Sequence, residues 1–257
     1  MSDLDREERE AQPVTRSHLQ VAFQSTGMLQ EYTMKTAFIF DLDGTLVDSV
    51  YQHVSAWTEA LASEGLALPG SRIHRKIGMS SELFAAQIFR EIAGETSADC
   101  IDRVKRRQGE LLKELSPQIL PLPGAQALLA ALTKADIPWA IATSGSPEAT
   151  AANLEKLGID AKTAVVATSS EVEHGKPEPD VFMAAAKQLG VAIEYSYVVG
   201  DSTWDLLGAR RCHAYGIGLQ SGGVGEAELQ RAGALHVFVD PADMLAHMSE
   251  LATHPDK

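Results

Sequence analysis

The sequence predicts an α/β fold: a doubly wound parallel sheet carrying an inserted helical cap. Three observations lead there. Short apolar runs of strand length alternate with helical periods along most of the chain, and such alternation requires crossover helices on both faces of a parallel sheet. The alternation is broken once, between residues 49 and 120, by helical periods with no convincing strand. Polar residues able to do chemistry fall just past the apolar runs, where the sites of such sheets lie.

Taken in order, residues 1–33 open Ser2-Asp3-Leu4-Asp5-Arg6-Glu7-Glu8-Arg9-Glu10, with acids where a signal or transit peptide has bases. They are expected to be a mobile tail, with Met34 the natural start. The first strand, 37–40, runs into Asp41-Leu42-Asp43-Gly44-Thr45. Residues i and i+2 of a strand share a side, and two carboxylates that close repel unless a cation or a shared proton lies between them. A divalent-metal site with one carboxylate free to act as nucleophile is the expectation.

Asp48 is expected to cap a helix starting near Val50. Helical periods follow at 51–64, 81–92 and 101–115. More than sixty residues between the first and second strands is too long for a crossover helix. The segment therefore reads as a cap, residues 49–120, hinged near 47–50 and 120–124, with residues 34–48 and 121–257 forming the core. The run Lys105-Arg106-Arg107 reads as a solvated face of the last cap helix. Further strands are expected at 139–142, 164–167, 197–199, 215–219 and 237–239, separated by helices at 123–135, 147–157, 179–189, 203–211 and 225–232. Several of these helices begin with Pro or a capping residue and end near Gly, as helices do. Thr143-Ser144, Lys176 and Asp201 lie beyond the strand ends.

A net charge of −13 over 257 residues argues against general affinity for nucleic acid or anionic membrane. It also obliges any anionic substrate to find a local positive site. Cys100 and Cys212 form no metal or disulfide motif, which fits a reducing cytoplasm. No apolar run is long enough to span a bilayer. The chain is expected to act as a monomer or small homo-oligomer.

Asp41-Leu42-Asp43-Gly44-Thr45, Ile141-Ala142-Thr143-Ser144, Gly175-Lys176-Pro177-Glu178-Pro179-Asp180 and Gly200-Asp201-Ser202-Thr203-Trp204-Asp205 resemble, in order, the four signatures of the haloacid dehalogenase-like hydrolases. The resemblance runs from about residue 35 to 252 and fits the branch with a small helical cap on a Rossmann-like core. It implies a Mg²⁺-dependent phosphatase of a small phosphorylated metabolite. Asp41 would take the phosphoryl group as an aspartyl-phosphate, and Asp43 would serve as acid and then base, with a raised pKa or a proton held by geometry. Mg²⁺ would be held by Asp41, Asp201 and the main-chain carbonyl of Asp43, with Asp205 in support. Thr143, Ser144 and Lys176 would bind the phosphate.

Asp43 also implies phosphoryl rather than halide chemistry. His53 and Trp57, twelve and sixteen residues after Asp41, look like the cap-entry pair of β-phosphoglucomutase and its sugar-phosphatase relatives. They tilt the expectation from phosphoglycolate toward a sugar or polyol phosphate; His53 itself reads equally as a substrate contact or a packed hinge residue. The isomerase is the alternative, but its distal-phosphate Arg falls at Ser81, its phosphate-binding Lys-Asn at Ser146-Pro147, and its second metal carboxylate at Gly200. A phospho-accepting receiver domain, the non-enzymatic alternative, has neither the long insert nor the late Gly-Asp-x-x-x-Asp.

Overall fold

The computed structural model describes residues 36–92 and 97–251, all within the unit formed by residues 33–257. The tail expected over 1–33 lies outside the described residues. The chain enters β1 (Phe38–Phe40), then β2 (Val47–Asp48). The helices α1 (Val50–Ser63), α2 (Gly70–His74), α3 (Ser81–Glu91) and α4 (Ala98–Leu115) follow, and β3 (Leu120–Pro121) brings the chain back. The remainder alternates: α5 (Ala125–Lys134), β4 (Trp139–Thr143), α6 (Pro147–Leu157), β5 (Val166–Thr168), α7 (Asp180–Leu189), β6 (Tyr197–Gly200), α8 (Thr203–Arg211) and β7 (Tyr215–Leu219). Then come α9 (Glu226–Ala232), β8 (Ala234–Phe238), α10 (Pro241–Ala246) and α11 (Met248–Leu251).

Six strands form one parallel sheet in the order β5-β4-β1-β6-β7-β8. β1 is central, and the chain winds outward from it first through β4, then through β6. The carboxyl ends of β1, β4 and β6 therefore meet where the winding reverses, the crevice such sheets use for ligands. The pleat explains the apolar runs. Phe38 and Phe40 project into one core layer with Leu128, Ile141 and Val199, while Ile39 joins Ala140, Val198 and Phe182 on the other face. Strands buried on both faces cannot alternate with polar residues, so they read as continuous apolar stretches.

The helices between β2 and β3 pack around a core of their own, which includes Trp57, Phe84, Ile88, Val104 and Leu111. The Trp57 and Phe84 rings lie 4.6 Å apart. On α4, Arg107 pairs with Glu59, Glu110 and Glu114 at 3.3–3.5 Å on an exposed face, so it is engaged by surface acids.

Several local expectations need correction. Asp48 does not cap α1: it is exposed in β2, opposite Leu120. Ser49 is the N-cap residue, and its hydroxyl donates to Asp43 instead of to the helix. The β2–β3 ribbon went unpredicted because two residues on each side are too few for a period. The last strand spans Ala234–Phe238 instead of 237–239; as an edge strand paired only with β7, it carries His236 and an exposed Leu235 that hide its period. β5 sits slightly later than expected, and α10, capped by Asp240 with Pro241 at its first turn, was missed along with α11.

Candidate active site

Asp41 extends the ladder of β1 by one bond, its N–H donating to the Val199 carbonyl at 2.8 Å. The backbone then turns sharply. Leu46 and Val47 both donate to the Leu42 carbonyl, and Gly44 takes φ 85°, a left-handed value that suits glycine. Space requires glycine here too, since a Cβ would come within 2.5 Å of the Asp201 Oδ2. The turn sets both acids at the sheet's carboxyl edge.

Lys176 arrives from the loop after β5 and is completely buried. Its ammonium bonds Asp41 Oδ1, lies 2.8 Å from Asp205 Oδ1, and sits 5.0 Å from the centre of the Phe182 ring. Asp205 is the third residue of α8, and its Oδ2 accepts from the Ser202 N–H at 3.1 Å and the Ser202 hydroxyl at 2.6 Å, closing a capping box. Its Oδ1 faces the ammonium electrostatically but accepts no directed hydrogen bond. Asp201 follows β6, accepts the Thr45 hydroxyl at 3.0 Å through Oδ1, and presses Oδ2 against Gly222. Gly200 leaves the room that the Asp205 side chain occupies. Thr143 ends β4 with its hydroxyl accepting from the Gly145 N–H at 3.0 Å, and the Ser144 hydroxyl donates to the Gly78 carbonyl at 3.4 Å.

Asp43 stands slightly apart. Its Oδ1 accepts the Ser49 hydroxyl at 2.6 Å and the Asn153 amide at 3.3 Å, and the His53 Nε2 lies 3.7 Å away. Burial pushes this carboxyl up, but His53, Ser49 and Lys176 outweigh it and hold the pKa below the ordinary value. The raised value expected of a resting acid is therefore absent, because the hinge supplies donors that favour the carboxylate. Asp41 behaves oppositely: burial raises it, Asp205 and Asp43 add to the rise, and Lys176 only partly opposes them. Burial, with Asp205 and Asp41, likewise raises Asp201 well above the ordinary value. For Lys176, burial disfavours the charge, but Asp205 and Asp41 overcome it and the pKa rises.

Asp41, Asp201 and Asp205 each offer an oxygen, all within 4.8 Å of one another, and Lys176 is the cation paired with this cluster among the described residues. Three buried carboxylates against one ammonium leave a deficit of positive charge. Hard oxygen donors so gathered, one of them without a directed hydrogen bond, fit a divalent cation.

A cavity of about 550 Å³ opens above, lined on the sheet side by Asp41, Asp43 and Thr143 and on the helical side by His53, Trp57 and Met79. The loop from α2 to α3 rests on the sheet side: Ser80 donates to the Lys176 carbonyl at 3.1 Å, and Trp204 donates to the Arg75 carbonyl at 3.1 Å. All the singled-out strand-end residues thus converge, with His53 at the cavity wall. Thr45, Ser49, Asn153 and Gly222 were not anticipated. Only Asn153 had a visible signal, being an amide on what should be the apolar stripe of its helix.

Residues 35–213 match the family model described as haloacid dehalogenase-like hydrolase. Hexitol phosphatase A of Escherichia coli K12 is 38% identical over 184 residues, covering 70% of this chain and 82% of that protein. A phosphoglycolate phosphatase of Rhodospirillum rubrum is 31% identical over 217 residues, covering 82% of this chain and 90% of its own. A hydrolase from Pseudomonas syringae, known by crystal structure, superposes with a TM-score of 0.82 at 47% identity, covering 85% of this chain and all of that one. Sheet order, converging acids and these likenesses agree: the chain belongs to the haloacid dehalogenase-like hydrolases.

Proposed function

We propose that this enzyme is a Mg²⁺-dependent phosphatase of small phosphorylated metabolites, preferring sugar or polyol phosphates over phosphoglycolate and working through an aspartyl-phosphate on Asp41. One observation carries the reading: a buried carboxylate at the cavity floor, gripped on one oxygen by Lys176, with a second carboxylate beside it.

Lys176 engages Oδ1 of Asp41, which leaves Oδ2 to attack phosphorus. As the Asp41–phosphorus bond forms, the bond to the ester oxygen breaks, and Asp43 protonates the departing alkoxide. Arrival of the phosphate dianion beside Asp43 raises its proton affinity, offsetting the donors that lower it in the free enzyme. Asp43, now a carboxylate, removes a proton from water as the water attacks phosphorus, and the Asp41–phosphorus bond breaks to release orthophosphate. Thr143 and Ser144 donate to the phosphoryl oxygens, and Lys176 supplies compensating charge. Mg²⁺ would be held by Asp41, Asp201 and the main-chain carbonyl of Asp43, with Asp205 in support, and when bound it withdraws charge from the phosphoryl group.

The preference for hydroxylated substrates is supported by the cavity wall. Ser81, Gln108, Ser116 and Ser146 offer hydroxyls and an amide, groups suited to sugar or polyol hydroxyls. It is supported too by the relative named for hexitols. Ser81 and Ser146 offer no cation to a second phosphate, which argues against a mutase. The charge of −13 and the separated cysteines support a cytoplasmic enzyme with no nucleic acid or membrane partner.

Phosphate release from a panel of sugar, polyol and acid phosphates, with and without Mg²⁺, tests the proposal. Turnover that needs the cation and is fastest with a polyol or sugar phosphate is expected. Interconversion of sugar phosphates primed by a bisphosphate, with no phosphate released, would overturn it.

A further inference from the structure

The buried face of α6 is not purely apolar. Thr150, Asn153, Leu154 and Leu157 form its inward stripe, at helical spacing, and the first two are polar. Burying an amide is costly unless it finds a partner. Asn153, only 4% exposed, finds one across the site: its Nδ2 donates to Asp43 Oδ1 at 3.3 Å. That same oxygen receives the Ser49 hydroxyl at 2.6 Å and faces His53 at 3.7 Å. The donors converge on Oδ1 and leave Oδ2 on the other side, toward Gly145 and Thr143, where a Cβ on Gly145 would stand 3.6 Å from Oδ2 and 3.3 Å from the Thr143 hydroxyl. Thr143 and Gly145 both line the cavity.

We infer that Asn153 is a positioning residue, holding Oδ1 of Asp43 so that Oδ2 is the oxygen that hands a proton to the leaving alkoxide and later takes one from water. This rests on the phosphatase reading above. Ser49 and His53 hold Asp43 from the hinge and from the first inserted helix. Asn153 belongs to a helix whose Leu154 and Leu157 pack in the core under the sheet, so its hold on the carboxylate comes from outside the inserted helices.

An ester whose leaving group departs as an unstable alkoxide needs a well-aimed acid, whereas one that departs as a stabilised phenolate hardly does. The test compares kcat/KM for the best alkyl phosphate of the panel with that for p-nitrophenyl phosphate. This parameter ends at the first irreversible step, so the second half-reaction does not blur it. Asn153→Leu, which keeps volume but removes the donor, is expected to lose about tenfold or more in activity on the alkyl ester relative to the aryl ester. Asn153→Gln retains an amide donor and should keep the ratio nearer to wild type; the reverse order counts against the inference. Should Asn153→Leu fail to fold, Asn153→Ala carries the same comparison. Equal losses on both esters, or none, overturn the inference. Asp43→Asn run alongside separates the two claims. If it discriminates between the esters and Asn153→Leu does not, only the role of Asn153 falls; if it loses both equally, the phosphatase reading of Asp43 falls and takes this inference with it.

Discussion

Asp201 holds its carboxylate between the Thr45 hydroxyl and the bare backbone of Gly44 and Gly222, so its position is set by what those residues lack as much as by what they offer. A Cβ at Gly222 would overlap Asp201 Oδ2 more closely than real atoms allow. Gly222→Ala is therefore expected to weaken Mg²⁺ binding by about 10-fold or more, as changes in the groups that orient metal ligands do. Titration calorimetry would read it, and an unchanged affinity would show that Asp201 does not hold the ion. At this scale the charged residues were legible. Asp41, Asp43, Lys176 and Asp201 follow strand ends, where a lone turn former does not need such a combination of charges. Thr45, Ser49 and Gly222 were not, because each alone looks like an ordinary turn or cap residue and takes its meaning from a carboxylate it meets only in the fold, for Thr45 one more than a hundred residues away.

The helix α6 does more than cover the sheet. Besides Asn153 it carries Lys156, whose ammonium donates to the Ser116 carbonyl at 2.5 Å and to its hydroxyl at 3.1 Å, where α4 ends and the chain turns back toward β3. Burial lowers the Lys156 pKa, and Asp43 partly opposes that shift. One helix thus touches both the acid and the return hinge. Lys156→Met should cost about 1 kcal/mol of stability in urea unfolding. It should also shift KM and kcat together by about a few-fold, as hinge changes do; a stability loss with both kinetic constants intact would confine Lys156 to a structural tether. The core helices were legible because their apolar stripes and caps repeat over three turns. The β2–β3 ribbon that frames the hinge was not, since two residues a side carry no period, and β8 was blurred by its position at the sheet edge.

The molecule carries an overall charge of −13 and, among the described residues, buries three carboxylates beside a single ammonium, so its stability without a cation depends on pH in an unusual direction. Asp201 is raised in the folded state, so the fold binds that proton more tightly than the unfolded chain does. Stability contributed by this group is then lost as pH climbs upward from the ordinary value of 3.8. In a chelator, Asp201→Asn should gain stability relative to wild type as pH rises through that range, and Mg²⁺ should abolish or reverse the gain. Parallel pH profiles for the two proteins would contradict this. At the scale of the chain, the parallel sheet and the long insert were visible as a rhythm and its interruption. The closeness of the inserted helices to the sheet, made by contacts of Ser80, Trp204 and Ser144, was not visible, because contacts between loops leave no pattern. The most direct measurement is acid quenching of the enzyme within one turnover of a phosphate ester, followed by peptide mass spectrometry. Phosphate on Asp41 is the predicted result; steady turnover with phosphate on another residue, or on none at any quench time, would contradict the account.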